Sequence, residues 1–195
     1  YSGEELLRIL LRHPSVRLTA VTSRRYAGQS ISAVFPRFAE AELTFVEPDA
    51  EAVGSRSDVV FLALPHGLAA EYAVPLVRSG VTVIDISADF RLRDPAVYRR
   101  YYGAEHPAPE LLDQAVYGLP EVYRDAISDS RLIACPGCYP TSIVLPLYPL
   151  VSGGLLSTEG ITVASMSGVS GAGRKVALPY LFPECSESVR PYAVT

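Results

Sequence analysis

Cys138 is the residue best placed to do chemistry. It follows a strand-like run, Arg131-Leu132-Ile133-Ala134, and a tight turn, Cys135-Pro136-Gly137. A helix is predicted over residues 141–151, so Cys138 falls just before it. The open amides and dipole at a helix start favour an anion. A thiolate, the reactive form of cysteine, attacks acyl carbon well. The competing structural reading is a buried apolar cysteine, which a strand–turn–helix junction disfavours. Cys135 and Cys138 also make a C-x-x-C pair, which opens two further readings. A zinc site needs about four ligands. Only Cys185, His13, His66 and His106 remain to supply two, none paired at motif spacing, so no metal is expected. A redox dithiol would sit at the first strand–helix junction of a small unit, whereas this pair follows several such junctions.

Other candidates lie at similar places. Ser167, Gly168 and Gly171 belong to a glycine-rich turn whose amides can approach a phosphate or a nicotinamide, although ordinary loops look alike. Ser23 and Arg24 end a predicted strand where an adenosine ribose often lies. A serine and an arginine there suit a 2′-phosphate, and an acid would suit a plain ribose. Arg91 and Arg93 follow another strand, and either can hold a carboxylate or phosphate through two parallel hydrogen bonds. A solvated surface arginine is the structural alternative for all of these. The backbone of His66, at a strand end, can line a cofactor groove. His13 closes a helix and His106 lies in a loop.

The elements that must position these residues alternate. Ser2 and Glu5 have the spacing of a capping box, and Leu6, Leu7, Leu10 and Leu11 give the helix after it an apolar face. His13-Pro14 stops that helix. Strands are predicted at residues 16–21, 43–46, 59–64, 81–85, 131–134 and 161–165. The run Val59–Leu64 is apolar on both faces, as in a parallel strand buried between helices. Helices are predicted at residues 68–79 and 94–102, and 107–120 reads as irregular. The alternation predicts an α/β fold with a mostly parallel sheet, in which ligands sit beyond the carboxyl ends of the strands. Those ends are residues 22–25, 65–67 and 87–91. The chain opens on a helix with no strand before it and closes on Ala193-Val194-Thr195 without a cap, which suggests that both ends are cut.

Composition narrows the function. The chain has 195 residues, 49% of them hydrophobic, and a net charge of −4. It can build a core, and it lacks the basic surplus that nucleic-acid binding requires. No apolar run approaches the ~20 residues that cross a bilayer, so no membrane contact is expected. Three cysteines suit a reducing cytoplasm.

Several ordered stretches then come together: Tyr1-Ser2-Gly3-Glu4-Glu5-Leu6-Leu7, Ala63-Leu64-Pro65-His66-Gly67, Ser87-Ala88-Asp89-Phe90-Arg91, Tyr117-Gly118-Leu119-Pro120-Glu121, Pro136-Gly137-Cys138-Tyr139-Pro140-Thr141 and Ser167–Gly173. In these the chain resembles the N-acetyl-γ-glutamyl-phosphate reductase family of arginine biosynthesis over nearly its whole length. The resemblance implies a Rossmann-like NADP-binding domain over 1–140, with its first strand missing, and the beginning of an α+β catalytic domain over 141–195. It implies Cys138 as the nucleophile that displaces phosphate from an acyl phosphate, NADPH as hydride donor, and a homo-oligomer, dimer or tetramer. Tyr1, Ser2, Gly3, Ser23, Arg24, Leu64, Pro65, His66, Ser167, Gly168 and Gly171 fall where the family contacts NADP, and Arg91 in the segment linked to substrate. The family's catalytic histidine would lie just past Thr195. As a complete polypeptide the chain would therefore have no useful catalysis. An N-acetyl-aminoadipyl-phosphate or aspartyl-phosphate reductase, and a nucleotide-binding module without chemistry, are the alternatives.

Overall fold

The computed structural model describes residues 1–192, in two compact units. One unit is Ser2–Thr141; the other is Tyr1 with Ser142 onward.

The first unit is α/β. Its elements are α1 (Ser2–Leu10), β1 (Val21–Thr22), α2 (Ile31–Val34), β2 (Phe45–Val46), α3 (Ala50–Gly54), β3 (Val59–Leu62), α4 (Ala69–Arg78), β4 (Thr82–Asp85), α5 (Pro95–Tyr102), β5 (Val116–Tyr117), α6 (Pro120–Asp129) and β6 (Leu132–Ala134). α7 (Cys138–Ser152) opens in this unit. Four strands form an all-parallel sheet in the order β3-β4-β6-β5, and β1 pairs with β2, also in parallel. The parallel sheet expected from the alternation is present.

Local chemistry explains the helices that flank it. α4 turns Ala69, Ala70, Ala73 and Leu76 to one buried face. It ends where Gly80 takes φ +85°, with the Gly80 amide donating to Val77 and the Val81 amide to Leu76. That Schellman closure turns the chain straight into β4. Asp94 caps α5 by accepting from the Ala96 amide, Pro95 opens the helix, and left-handed Gly103 closes it. Leu62, Val83, Leu132 and Ala134 of the strands pack with the α4 face, Phe90, Leu111 and Leu112 as one core. Each large side chain so buried contributes about 1.5–3 kcal/mol.

Several expectations need correction. The ladder of β1 covers only Val21–Thr22, because residues 16–20 find no pairing partner among the described residues. β2 likewise keeps only Phe45–Val46. β3 stops at Leu62, and Val59 is 45% exposed, so its leading end is open to water. The capping box does not close: the Glu5 carboxylate turns to Arg8 and Arg37. Residues 107–120 contain β5, and α6 follows. α7 begins at Cys138 itself rather than at residue 141.

The second unit holds the rest of α7, 3-10 turns at Val169–Ala172 and Leu178–Tyr180, and α8 (Phe182–Cys185). Residues 161–165 form no strand; Ile161 and Val163 are exposed, with no ladder partner among the described residues. No helix of the described residues is long and apolar enough to cross a membrane.

Candidate active site

Three neighbouring strands, β3, β4 and β6, release their chains at the same edge of the sheet. β3 leads into Pro65-His66-Gly67, β4 into Ser87–Arg91, and β6 into Cys135–Cys138. Backbone and side chains then lace these segments together.

The segment after β4 is the centre of the lacing. Asp85 is fully buried; its carboxylate accepts from the Ser87 amide (2.9 Å) and hydroxyl (2.8 Å). Burial pushes its carboxyl above the ordinary range, against the pull of the Ser87 bonds. The Ser87 hydroxyl in turn accepts from the Asp89 amide. Asp89, also fully buried, accepts from the Gly67 amide (2.7 Å) and the Ala69 amide (2.9 Å), and His66 Nδ1 stands 2.8 Å from its Oδ1. On the other side, Arg91 Nε donates to the Cys135 carbonyl (2.7 Å) and Nη2 to the Ile86 carbonyl (3.0 Å). The Cys135 amide donates to the Asp85 carbonyl (2.8 Å).

Cys138 is the first residue of α7, and it is exposed. The turn beneath it is tied down: the Thr141 amide and hydroxyl both donate to the Gly137 carbonyl, at 3.1 and 2.9 Å. Cys135 differs in kind. It is half-buried, and burial, with the Asp85 charge adding to it, pushes its thiol up against the smaller pull of Arg91. Of the C-x-x-C pair, only Cys138 is exposed, and it stands at a helix start.

The remaining predicted residues are distributed as follows. Ser2 and Gly3 open α1 and are exposed. Ser23 and Arg24 follow β1; Ser23 Oγ accepts from the Tyr26 amide, and Arg24 donates to the Tyr72 hydroxyl on α4. Leu64 packs on the core, leaving Pro65 and His66 at the surface. The His66 ring lies 4.2 Å from that of Tyr102. Tyr1, Ser167, Gly168 and Gly171 belong to the second unit, where the Tyr1 ring lies under Arg174 and the Ser167 hydroxyl crowds Gly171. Two cavities of about 290 and 320 Å³ lie elsewhere, the first lined by Arg131 and Leu132 at the entry of β6, the opposite end from Cys138.

Sequence reasoning missed Asp85, Ser87, Asp89 and His106 as a network. A Ser-x-Asp spacing directly after a buried strand was the available signal. His106 is buried: its Nε2 meets the Asp89 carbonyl (2.9 Å), and its Nδ1 accepts from the Ala108 amide (3.0 Å). The ring is therefore neutral, with its proton on Nε2. Burial lowers its pKa, outweighing these bonds. The unfolded chain thus takes up a proton below about pH 6.5 before the native state does. Stability present above that pH is lost as pH falls towards 5. The His106→Gln variant should show a flatter fall in melting temperature from pH 7 to 5 than the parent; an equally steep fall would remove His106 as the cause.

The family description "semialdehyde dehydrogenase, NAD binding domain" matches residues 1–130. The chain belongs to the semialdehyde dehydrogenase family. The dimerisation domain of the same family matches residues 138–195. An N-acetyl-gamma-glutamyl-phosphate reductase of Akkermansia muciniphila is 55% identical over 100% of this chain and 57% of its own length. One from Acidithiobacillus ferrooxidans is 49% identical over 100% of this chain and 56% of its own length. The chain thus spans rather more than half of these relatives. Aspartate semialdehyde dehydrogenase II from Vibrio cholerae shares the fold of this semialdehyde dehydrogenase chain at a TM-score of 0.51 and 20% identity, over 78% of this chain and 38% of its own.

Proposed function

We propose that residues 1–140 are the cofactor-binding domain, and 141–195 the opening of the catalytic domain, of an NADPH-dependent N-acetyl-γ-glutamyl-phosphate reductase. The observation that carries this is Cys138: an exposed cysteine as the first residue of α7, beyond the carboxyl end of an interior strand of a parallel sheet.

The Cys138 thiolate attacks the acyl carbon of N-acetyl-L-glutamyl 5-phosphate. A carbon–sulfur bond forms, the carbon–oxygen bond to phosphate breaks, and inorganic phosphate leaves. When bound, NADPH would supply the hydride that reduces the acyl group, and Cys138 would leave as the thiolate as N-acetyl-L-glutamate 5-semialdehyde is released. Arg91 lies beside this chemistry. Two of its nitrogens are held by carbonyls, and Nη1 stands against Gly137, where it can meet an anionic substrate group.

The residues present suit a phosphorylated dinucleotide. At the end of β1, Ser23 is followed by two exposed arginines and no carboxylate, and Arg24 is braced by Tyr72. The pattern favours a 2′-phosphate over a bare ribose. Within this unit, Ser2 and Gly3 at the α1 start and the Leu64-Pro65-His66 turn are the further cofactor contacts. The enzyme works on a small-molecule substrate as a homo-oligomer in the cytoplasm, where free Cys135, Cys138 and Cys185 suit reducing conditions.

Two experiments test this. Mixing the chain with the acyl phosphate should release one equivalent of phosphate and leave an acyl adduct, located on Cys138 by mass spectrometry. An adduct only elsewhere, or none, refutes the assignment. Replacing Arg24 by alanine should weaken NADPH about tenfold in calorimetric titration and leave NADH unchanged. An equal loss for both would take the 2′-phosphate away from Arg24.

A further inference from the structure

Among the described residues, no hydrogen bond or ion pair joins the two walls of the proposed site, the Pro65–Gly67 turn and the Cys135–Cys138 turn. Each is fastened separately to the segment between Asp85 and Arg91. Cys135 is fastened through its backbone alone, to the Asp85 carbonyl and Arg91 Nε. The Pro65–Gly67 turn is fastened through one carboxylate. Asp89 has no exposed surface, and both its oxygens face the end of β3: Oδ1 takes the Gly67 amide, with His66 Nδ1 2.8 Å away, and Oδ2 the Ala69 amide. The turn needs such an anchor, because Gly67 takes φ +85° and the chain must reverse there from strand into α4. The Asp89 main chain is itself locked, its amide on Ser87 Oγ and its carbonyl on His106 Nε2.

We infer that Asp89 is a positioning residue for the cofactor: it sets the Pro65–Gly67 turn in the shape that receives the dinucleotide, and it does so independently of the nucleophile. This rests on the reductase reading and assigns to a buried acid a part that the exposed His66 would otherwise be given. Asparagine at 89 keeps the volume but replaces one acceptor oxygen by an N–H₂ donor. It would confront the Gly67 or the Ala69 amide with another donor, leaving a buried group unpaired.

The test is calorimetric titration of the Asp89→Asn chain with NADPH, beside the iodoacetamide labelling rate of Cys138 without cofactor. NADPH affinity should fall about tenfold or more while labelling stays within about twofold of the parent. A merely structural defect would instead alter labelling together with affinity, and that result overturns the inference. So does unchanged affinity. Failure of the parent chain to bind NADPH overturns the reductase reading and the inference with it, and is recognised without any variant. Where Asp89→Asn does not accumulate folded, amide exchange in the parent decides. Slow exchange at Gly67 and Ala69 before cofactor is added supports the anchored turn, and exchange at the rate of open loops overturns it.

Discussion

Replacing Cys138 by serine should lower acyl transfer by at least about a thousandfold and leave NADPH binding intact. A nucleophile that forms the covalent intermediate acts as a unit with its surroundings, and removing it removes the route. Serine is nearly isosteric and sits equally well at the start of α7, so the fold is preserved. The decisive comparison is Cys135→Ser. Cys135 is held by its backbone, and burial keeps its thiol protonated, so its loss should cost little of the phosphate burst. A redox dithiol predicts the reverse, with both variants silent. Phosphate release in the first turnover, read for the two variants side by side, separates the readings.

Gly118→Ala is the second large effect, on stability. A β-carbon at Gly118 would stand 2.9 Å from Ile133 Cγ2, 3.2 Å from the Ala134 carbonyl and 3.2 Å from Cys135 Cα. None of these can retreat cheaply. Ile133 is branched at the β-carbon, and the other two are main chain of β6 and its exit turn. The Gly118 amide also donates to the Ala134 carbonyl at 2.8 Å. The expected cost is about 1–3 kcal/mol, seen as a lower midpoint in urea at unchanged slope. Because the strain falls on the turn that carries Cys138, the labelling rate of Cys138 should change as well. Wild-type stability and labelling would show that the glycine is dispensable.

The parallel sheet was legible because period and punctuation agreed. Val81–Asp85 and Arg131–Ala134 are short, apolar and bounded by Gly80 and Pro136. The place of Cys138 at a strand–helix junction was legible for the same reason, its neighbours spelling strand, turn and helix. α6 was not, since its residues pattern weakly and none is buried, although Pro120 followed by Glu121 is a helix-start signal. The strand expected at residues 161–165 shows the opposite failure. β-branched residues suit a ladder, but pairing requires a partner that local sequence cannot supply. The Asp89 anchor was invisible on similar grounds: its partners lie 20 and 22 residues upstream. His106 looked like an ordinary loop residue because only the fold reveals the carbonyl it meets.

The strand order β3-β4-β6-β5 has a consequence for how this molecule comes into being. β5 leaves the ribosome before β6 yet touches the sheet only through it, at Val116↔Ile133 and Tyr117↔Ala134. A nascent chain ending short of Leu132 holds a two-residue edge with nothing to dock on. The strand that seals that gap also leads into Cys138, the proposed nucleophile, so the sheet closes at the step that brings this residue to its edge. Chains still lacking β6 therefore also lack the proposed nucleophile while they are most prone to stray encounters.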